Sequence, residues 1–207
     1  MTLRLVGLFA ILATLVTCGA RSNDTYEGNV PAGVGPVCGN ANILGEMIDP
    51  IDSARHAACG IDRPVRIFAV SGVTMSQRPV MNCKAAQSLN RWVGAGMKPA
   101  LANQGGGLKS LRVAAHYSCR TRNSQRGARI SEHGKGNAID ISAFRLENGD
   151  LVSVLEDWGK GRKGRALKAI RKSACGPFGV VLGPGSDRFH RDHFHADISH
   201  LNNRYCK

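Results

Sequence analysis

Several common features are missing or scarce in this chain of 207 residues, and each absence narrows its class. The seven cysteines never occur in paired C-x-x-C spacing, so a cysteine-ligated zinc site is not predicted. There is no internal repeat and no proline-rich tract, and the length suits one domain with its own core. Aromatic residues make up only 5% of the chain and are not interleaved with the basic residues, which argues against nucleic-acid binding.

Acidic residues are also scarce. The chain has 15 Asp and Glu against 28 Lys and Arg, and its formal net charge is +13. Such an excess favours an anionic partner, and in an exported protein a cell-wall polymer or a membrane surface is a better candidate than nucleic acid. A solvated basic surface with no specific partner is the alternative.

The first 20 residues have the pattern of a secretory signal. Arg4 is followed by an apolar run from Leu5 to Val16 and then by small residues, and the run is too short for a transmembrane helix. Leu15 to Cys18 resembles a lipoprotein box, which would lipidate Cys18. We favour ordinary cleavage, so a membrane is an expected partner only if Cys18 is lipidated.

Residues 21–37 are rich in Gly, Pro, Asn and Ser, and we expect a flexible leader there, followed by a domain over 38–207. Six cysteines remain beyond the signal: Cys38, Cys59, Cys83, Cys119, Cys175 and Cys206. An even number in an exported chain predicts up to three disulfides, whose pairing the sequence leaves open.

Hydrophobic periodicity predicts an α+β fold with a mostly antiparallel sheet and helices packed on it. The expected strands are 65–70, 111–117, 137–144, 178–182 and 193–199. The expected helices are 82–97, capped by Asn82 and ended by Pro99, and a basic helix over 162–175. Residues 43–59 suggest a short helix or an irregular segment. Alternation puts His193, His195 and Asp197 on one face of the last strand.

Two short stretches carry the chemistry. His133 and Asp140 flank a loop in which Gly134 and Gly136 let the chain fold back, and His195 comes from the last strand. Two imidazoles and one carboxylate are the ligand set of a catalytic zinc site that keeps one position for water. A structural zinc site or a binding cleft is the alternative.

Neighbouring residues have candidate roles in hydrolysis. Asp192, just before the last strand, is the expected general base. His193 is expected to line the site or to donate to the developing oxyanion, and Arg120 to hold a carboxylate or that oxyanion. Arg122, Arg126 and Arg129 compete with Arg120 for this role. Ser131 is interpreted as a loop or supporting residue, because no triad accompanies it.

The spacing S-x-H-x-x-G-x-A-x-D over Ser131–Asp140, followed by Asp192-x-x-His195, resembles the D-Ala-D-Ala metallopeptidases, which are grouped with lysostaphin-type enzymes and the hedgehog signalling domain. A longer stretch, from about Cys38 to Cys206, is similar to the bacterial extensin-like C-terminal family. The segments that carry this likeness are Cys59–Val65, Asn82–Cys83, Tyr117–Arg120, Phe178–Gly185 and Asp192–Asp197.

The resemblance implies a hedgehog or D-Ala-D-Ala-peptidase-like zinc fold, stabilised by disulfides. It also implies zinc on His133, Asp140 and His195, an acidic base at Asp192, and an arginine at Arg120 that contacts substrate. The expected protein is a zinc peptide hydrolase of peptidoglycan, of D,D-endopeptidase or carboxypeptidase type, in the periplasm or cell envelope of a Gram-negative bacterium. The alternative is a non-catalytic zinc protein that binds peptidoglycan or another anionic wall polymer. The oligomeric state is left open.

Overall fold

A computed structural model of the chain describes residue 26 and residues 28–53 and 56–207. The predicted signal over 1–20, including Cys18, lies outside the described residues, and so do residues 21–25 and 27 of the predicted leader. The part that is described folds as mixed α+β with far more strands than helices. None of its helices combines the length and the apolar character that a membrane span requires.

The described strands, in chain order, are β1 (Gly35–Val37), β2 (Asn40–Met47), β3 (Ile51–Asp52), β4 (Gly60–Ile61), β5 (Pro64–Val70), β6 (Val73–Met75), β7 (Val80–Asn82), β8 (Leu108–Ala115), β9 (Ala138–Leu146), β10 (Leu151–Ser153), β11 (Val180–Leu182), β12 (Phe194–Asp197) and β13 (Tyr205–Cys206). All except the β3–β4 pair join one sheet in the order β1-β2-β5-β6-β8-β9-β12-β11-β13, with β7 on β5 and β10 on β9. Its pairs are antiparallel except β6–β8 and β11–β13. The predicted mostly antiparallel sheet is therefore found.

The expectation of a helix or irregular segment over 43–59 is wrong at its start. Residues 43–47 belong to β2, which pairs antiparallel with β5. The reason is alternation: Ile43 and Gly45 are buried while their neighbours are less so. Gly45 must lack a side chain because a Cβ there would collide with the carbonyl oxygen of Arg66 on β5.

The described helices are α1 (Cys83–Trp92), α2 (Lys98–Leu101), α3 (Val154–Asp157) and α4 (Gly161–Ala174), with a π turn over Val93–Met97 between α1 and α2. Asn82 caps α1 as predicted, since its side chain accepts a hydrogen bond from the Ala85 N–H at 2.9 Å. Pro99, however, does not end this helix. The π turn ends at Met97, two residues before Pro99, and it covers the carbonyls that the proline ring would clash with in a regular α-helix.

The helices cover the apolar face of the sheet. Trp92 is fully buried there, donates Nε1–H to the carbonyl of Ile170 on α4 at 2.9 Å, and meets Phe178 edge-on at 5.6 Å. Phe194 of β12 packs on the same face against Trp158 and Phe144. Because side chains alternate along β12, this packing turns His195 to the opposite face, where the candidate site lies.

Three disulfides join the described cysteines: Cys38–Cys83, Cys59–Cys119 and Cys175–Cys206. They confirm the predicted framework and show the pairing that the sequence left open. Since such bridges persist in oxidising compartments, they indicate an extracellular or periplasmic protein. The first bridge connects the β1–β2 hairpin to α1. The last three residues of the predicted leader, Gly35–Val37, form β1 and are therefore part of the sheet.

Candidate metal centre

His133 is placed by a short 3₁₀ helix, Glu132–Lys135, that leads into β9. Ser131 caps this helix, because its Oγ accepts a hydrogen bond from the His133 N–H at 3.4 Å. Gly136 ends it in the left-handed region at φ 65°, and a Cβ there would also collide with Ile61. Ser131 therefore helps to position the backbone of His133.

Strand register brings the other two candidate ligands together. Asp140 on β9 and His195 on β12 are directly opposite each other in the antiparallel pair, so their side chains share one face. Oδ1 of Asp140 lies 2.8 Å from Nδ1 of His195, and Oδ2 lies 3.2 Å from Nε2 of His133. All three side chains are buried. The structure therefore brings together the three residues that the sequence singled out.

The donor atoms of this cluster suit zinc. The ligand atoms of His133, Asp140 and His195 all lie within 4.8 Å of one another. The second nitrogen of each ring is already engaged: Nδ1 of His133 donates to the His116 carbonyl at 2.8 Å, and Nε2 of His195 donates to Asp197 at 3.0 Å. These outer contacts fix the ring tautomers and leave Nε2 of His133 and Nδ1 of His195 for a metal, as is usual for zinc-bound histidines.

Hydrogen bonds and charges within the cluster shift the pKa values of its side chains. Burial acts against a charged ring, but hydrogen bonds and charge from Asp140 and Asp197 outweigh it and raise the pKa of His195 to about 9. Burial alone would raise the pKa of Asp140, yet His133 and His195 hold it well below its usual range. The pKa of Asp197 is lowered in the same way, against its burial, by His195 and Ser199. A cationic imidazole ring thus sits in the metal-free centre between two carboxylates.

Asp192 lies at the rim of the centre and not inside it. Its side chain is 62% exposed, and it accepts a hydrogen bond from Nδ1 of His193 at 2.8 Å. The opposite ring nitrogen, Nε2 of His193, lies 3.7 Å from Oδ2 of Asp140. We expected Asp192 to turn toward the three candidate ligands. Instead His193, just before β12, lies between Asp192 and the cluster, with Nδ1 toward Asp192 and Nε2 toward Asp140.

A second histidine–carboxylate pair lies beside the cluster. Nδ1 of His190 donates to the carboxylate of Asp187 at 2.7 Å, and the His190 ring is 5.2 Å from that of His193 and 5.6 Å from that of His195. Burial and the two neighbouring rings outweigh Asp187 and lower the pKa of His190, so this ring is neutral at neutral pH. Neither His190 nor Asp187 was singled out from the sequence.

The cluster forms the floor of a cleft of about 710 Å³. Arg120 and Arg122 line this cleft, and so does Arg204 from the C-terminal segment, whereas Arg126 and Arg129 are not among its lining residues. Of the four arginines that the sequence proposed for the site, the structure therefore places two, Arg120 and Arg122, at the cleft. It adds Arg204, which the sequence did not suggest. Neither Arg122 nor Arg204 forms an ion pair within the described residues.

The Cys59–Cys119 bridge supports both walls of the centre. Cys119 directly precedes Arg120, and Cys59 packs against Gly134 in the His133 helix. A Cβ at Gly134 would come within 2.9 Å of the Cys59 sulfur. The disulfide thus holds the backbone of Arg120 and His133 together from outside the cleft.

Two residues of the centre were missed from the sequence. Asp197 was placed on the face of His195 but given no role, and Asp187 was not considered. Asp197 could have been found from the alternation of His193, His195 and Asp197, because polar side chains on one face of a buried strand need hydrogen-bond partners. No sequence pattern identifies Asp187, whose contact with His190 depends on a loop.

Residues 39–207 match the model of a family described as Extensin-like protein C-terminus. The matched range contains the three candidate ligands and all three disulfides except Cys38. We found no match among curated proteins and none among solved structures.

Proposed function

The chain belongs to the extensin-like protein C-terminal family, and we propose that it is an exported zinc-dependent hydrolase that cleaves peptide bonds in peptidoglycan. The proposal places it in the periplasm or cell envelope of a Gram-negative bacterium. One observation carries it: His133, Asp140 and His195 direct three ligand atoms within 4.8 Å of one another on the floor of an open cleft. The motif resemblance to D-Ala-D-Ala metallopeptidases, described above, supports the same reading.

His133, Asp140 and His195 would hold the metal through Nε2, a carboxylate oxygen and Nδ1. When bound, zinc supplies a Lewis acid that acidifies water and polarises a carbonyl. Three protein ligands leave room for that chemistry, and a single carboxylate leaves net positive charge at the centre. The His116 carbonyl and Asp197 keep the two rings in the required orientation.

We assign proton transfer to His193 rather than to Asp192. Nε2 of His193 faces the cluster, and Nδ1–H donates to Asp192, so the carboxylate fixes the tautomer in which Nε2 carries the free lone pair. His193 takes the proton from the attacking water and delivers it to the leaving amine. Asp192 stabilises the imidazolium that forms in between, which keeps it in the mechanism as a positioning residue.

The charges of the cleft favour an acidic peptide. Its lining carboxylates are already paired: Glu132 with Lys135 and Asn137, and the three others with histidines. Arg120, Arg122 and Arg204 face the same space. Guanidinium groups bind carboxylates through two parallel hydrogen bonds, and peptidoglycan stem peptides present free carboxylates next to their cross-links. A D,D-endopeptidase or carboxypeptidase fits this arrangement.

The direct test is incubation of the purified protein with intact muropeptides, with and without chelator, followed by mass analysis of the products. We expect peptide cleavage that zinc restores after chelation. His133→Ala should lose metal and turnover together, whereas Arg122→Ala and Arg204→Ala should raise KM for peptides with free carboxylates. Arg126→Ala and Arg129→Ala, which remove the same charge outside the cleft, are the matched controls. Hydrolysis that survives His133→Ala would refute the proposal.

A second candidate is a non-catalytic zinc protein that binds wall polymer. It is favoured by the closeness of His190 and His193, whose rings lie beside the cluster and could occupy the fourth metal position. Metal-loaded protein that retains muropeptides but releases no product over long incubation would select this function. Restored turnover in a His190→Ala variant would show that this ring closes the site.

A further inference from the structure

We propose that this protein has a second binding site, an anion pocket at the basic helix α4, which takes a phosphate group of an envelope polymer or lipid. The pocket is separate from the metal centre, so the inference does not rest on the proposed hydrolysis. It also gives a binding role to basic residues of α4 that do not line the cleft.

The pocket is a cavity of about 490 Å³ between α4 and the C-terminal end of the chain. Lys168, Arg171 and Lys172 contribute to it from one side of the helix, at the i, i+3 and i+4 spacing that brings side chains to one face. Trp158 and the Cys175–Cys206 disulfide form the remaining wall together with Val181. Within the described part of the chain, no acidic residue lines this cavity.

Arg171 is the central feature of the pocket, because it is a partly buried cation with no acidic partner among the residues that the structure describes. Its Nη1 donates to the Pro184 carbonyl at 3.1 Å, and its guanidinium lies over the Trp158 ring at 5.4 Å. Both partners are uncharged. Burial lowers the pKa of Arg171, which shows that the guanidinium has lost part of its hydration. A bound anion would restore the stabilisation that water provides elsewhere.

The rest of the helix strengthens the local field. α4 carries no acidic residue, and its basic residues are Arg162, Lys163, Arg165, Lys168, Arg171 and Lys172. None of them forms an ion pair within the described chain. Three cationic residues that line one cavity fit phosphate, which carries more charge than a carboxylate and offers several acceptor oxygens around one centre.

Strand alternation separates the pocket from the cleft. On β11, Val180 and Leu182 line the cleft, whereas Val181 between them lines the pocket. On β13, Tyr205 faces the cleft and Cys206 the pocket. The two sites therefore lie on opposite faces of the same sheet edge. An anchored polymer or membrane would leave the cleft open to substrate.

The test measures binding of inorganic phosphate by ³¹P NMR at about 0.15 M salt, where diffuse surface attraction is screened. The informative variant is Lys168→Gln with Lys172→Gln, since both side chains are exposed and their loss spares the contacts of Arg171. Arg162→Gln with Arg165→Gln is the matched control, with the same charge removed from the same helix but outside the pocket. Phosphate held at a metal centre would be unaffected by either pair.

We expect the lysine pair to weaken phosphate binding about tenfold and the arginine pair less than twofold. Sedimentation with phosphatidylglycerol vesicles, against phosphatidylcholine alone, distinguishes the source of the phosphate. Vesicle binding that the lysine pair abolishes assigns the site to a lipid surface, and phosphate binding without vesicle binding assigns it to a polymer. Equal losses in both variants, or no phosphate binding by the unaltered protein, would overturn the proposal.

Discussion

We predict that zinc and a proton compete for the ring of His195. In the metal-free protein both nitrogens of this buried ring donate to carboxylates, Nδ1 to Asp140 and Nε2 to Asp197, and its pKa is raised to about 9. Zinc can take Nδ1 only after that proton has left. At pH 7 the removal costs about two pKa units of about 1.4 kcal/mol each, which lowers zinc affinity about a hundredfold.

Zinc affinity should therefore rise about tenfold per pH unit between pH 6 and 8 and level off near pH 9. Titration calorimetry with a competing chelator, in two buffers of different ionisation enthalpy, gives both the affinity and the protons released. Asp197→Asn is the control, because it removes one of the two carboxylates that hold the proton. Its proton release at pH 7 should be smaller than that of the unaltered protein, and its affinity should level off at a lower pH.

The same proton sets the stability of the metal-free protein. A raised pKa stabilises the fold fully below the unfolded value of 6.5, and this contribution disappears as the pH rises through about 9. The difference of about 2.5 units corresponds to about 3 kcal/mol, or very roughly 5–10 °C in Tm for a domain of this size. Zinc-loaded protein should lack this decline. A metal-free Tm that stays constant from pH 6.5 to 9.5 would disprove the assignment of the proton.

Three further predictions concern single positions. Asp192→Asn should keep the metal but lower kcat about a hundredfold or more, as measured by metal analysis and muropeptide kinetics, and unchanged kcat would remove its role in orienting the base. Gly136→Ala should lower the free energy of unfolding by more than Gly149→Ala, as measured by urea unfolding. Both glycines have positive φ, but only at Gly136 would the added Cβ also collide with Ile61. Trp92→Ala should cost about 3–5 kcal/mol in the same assay, and a loss below about 1 kcal/mol would contradict its place in the core.

Much of the fold could be predicted because it depends on patterns among neighbouring residues. Strand β5, helix α4 and the cap at Asn82 were predicted because alternation, helical spacing and a capping amide act over a few residues. Strand β2 was missed because a glycine and polar residues interrupt its apolar positions. The continuation of the helix past Pro99 was missed because a π turn is a local adjustment that spacing does not announce.

Composition and spacing alone were enough to predict disulfides, an oxidising compartment and three candidate zinc ligands. Only the tertiary structure decided how the cysteines pair and that Asp192 lies at the exposed rim, behind His193. It also decided which arginines reach the cleft. The physical reason is that ligand type and strand alternation are properties of neighbouring residues, whereas these outcomes depend on strand register and loop path. Register brings Asp140 opposite His195 at a sequence separation of 55, and no local pattern encodes that pairing.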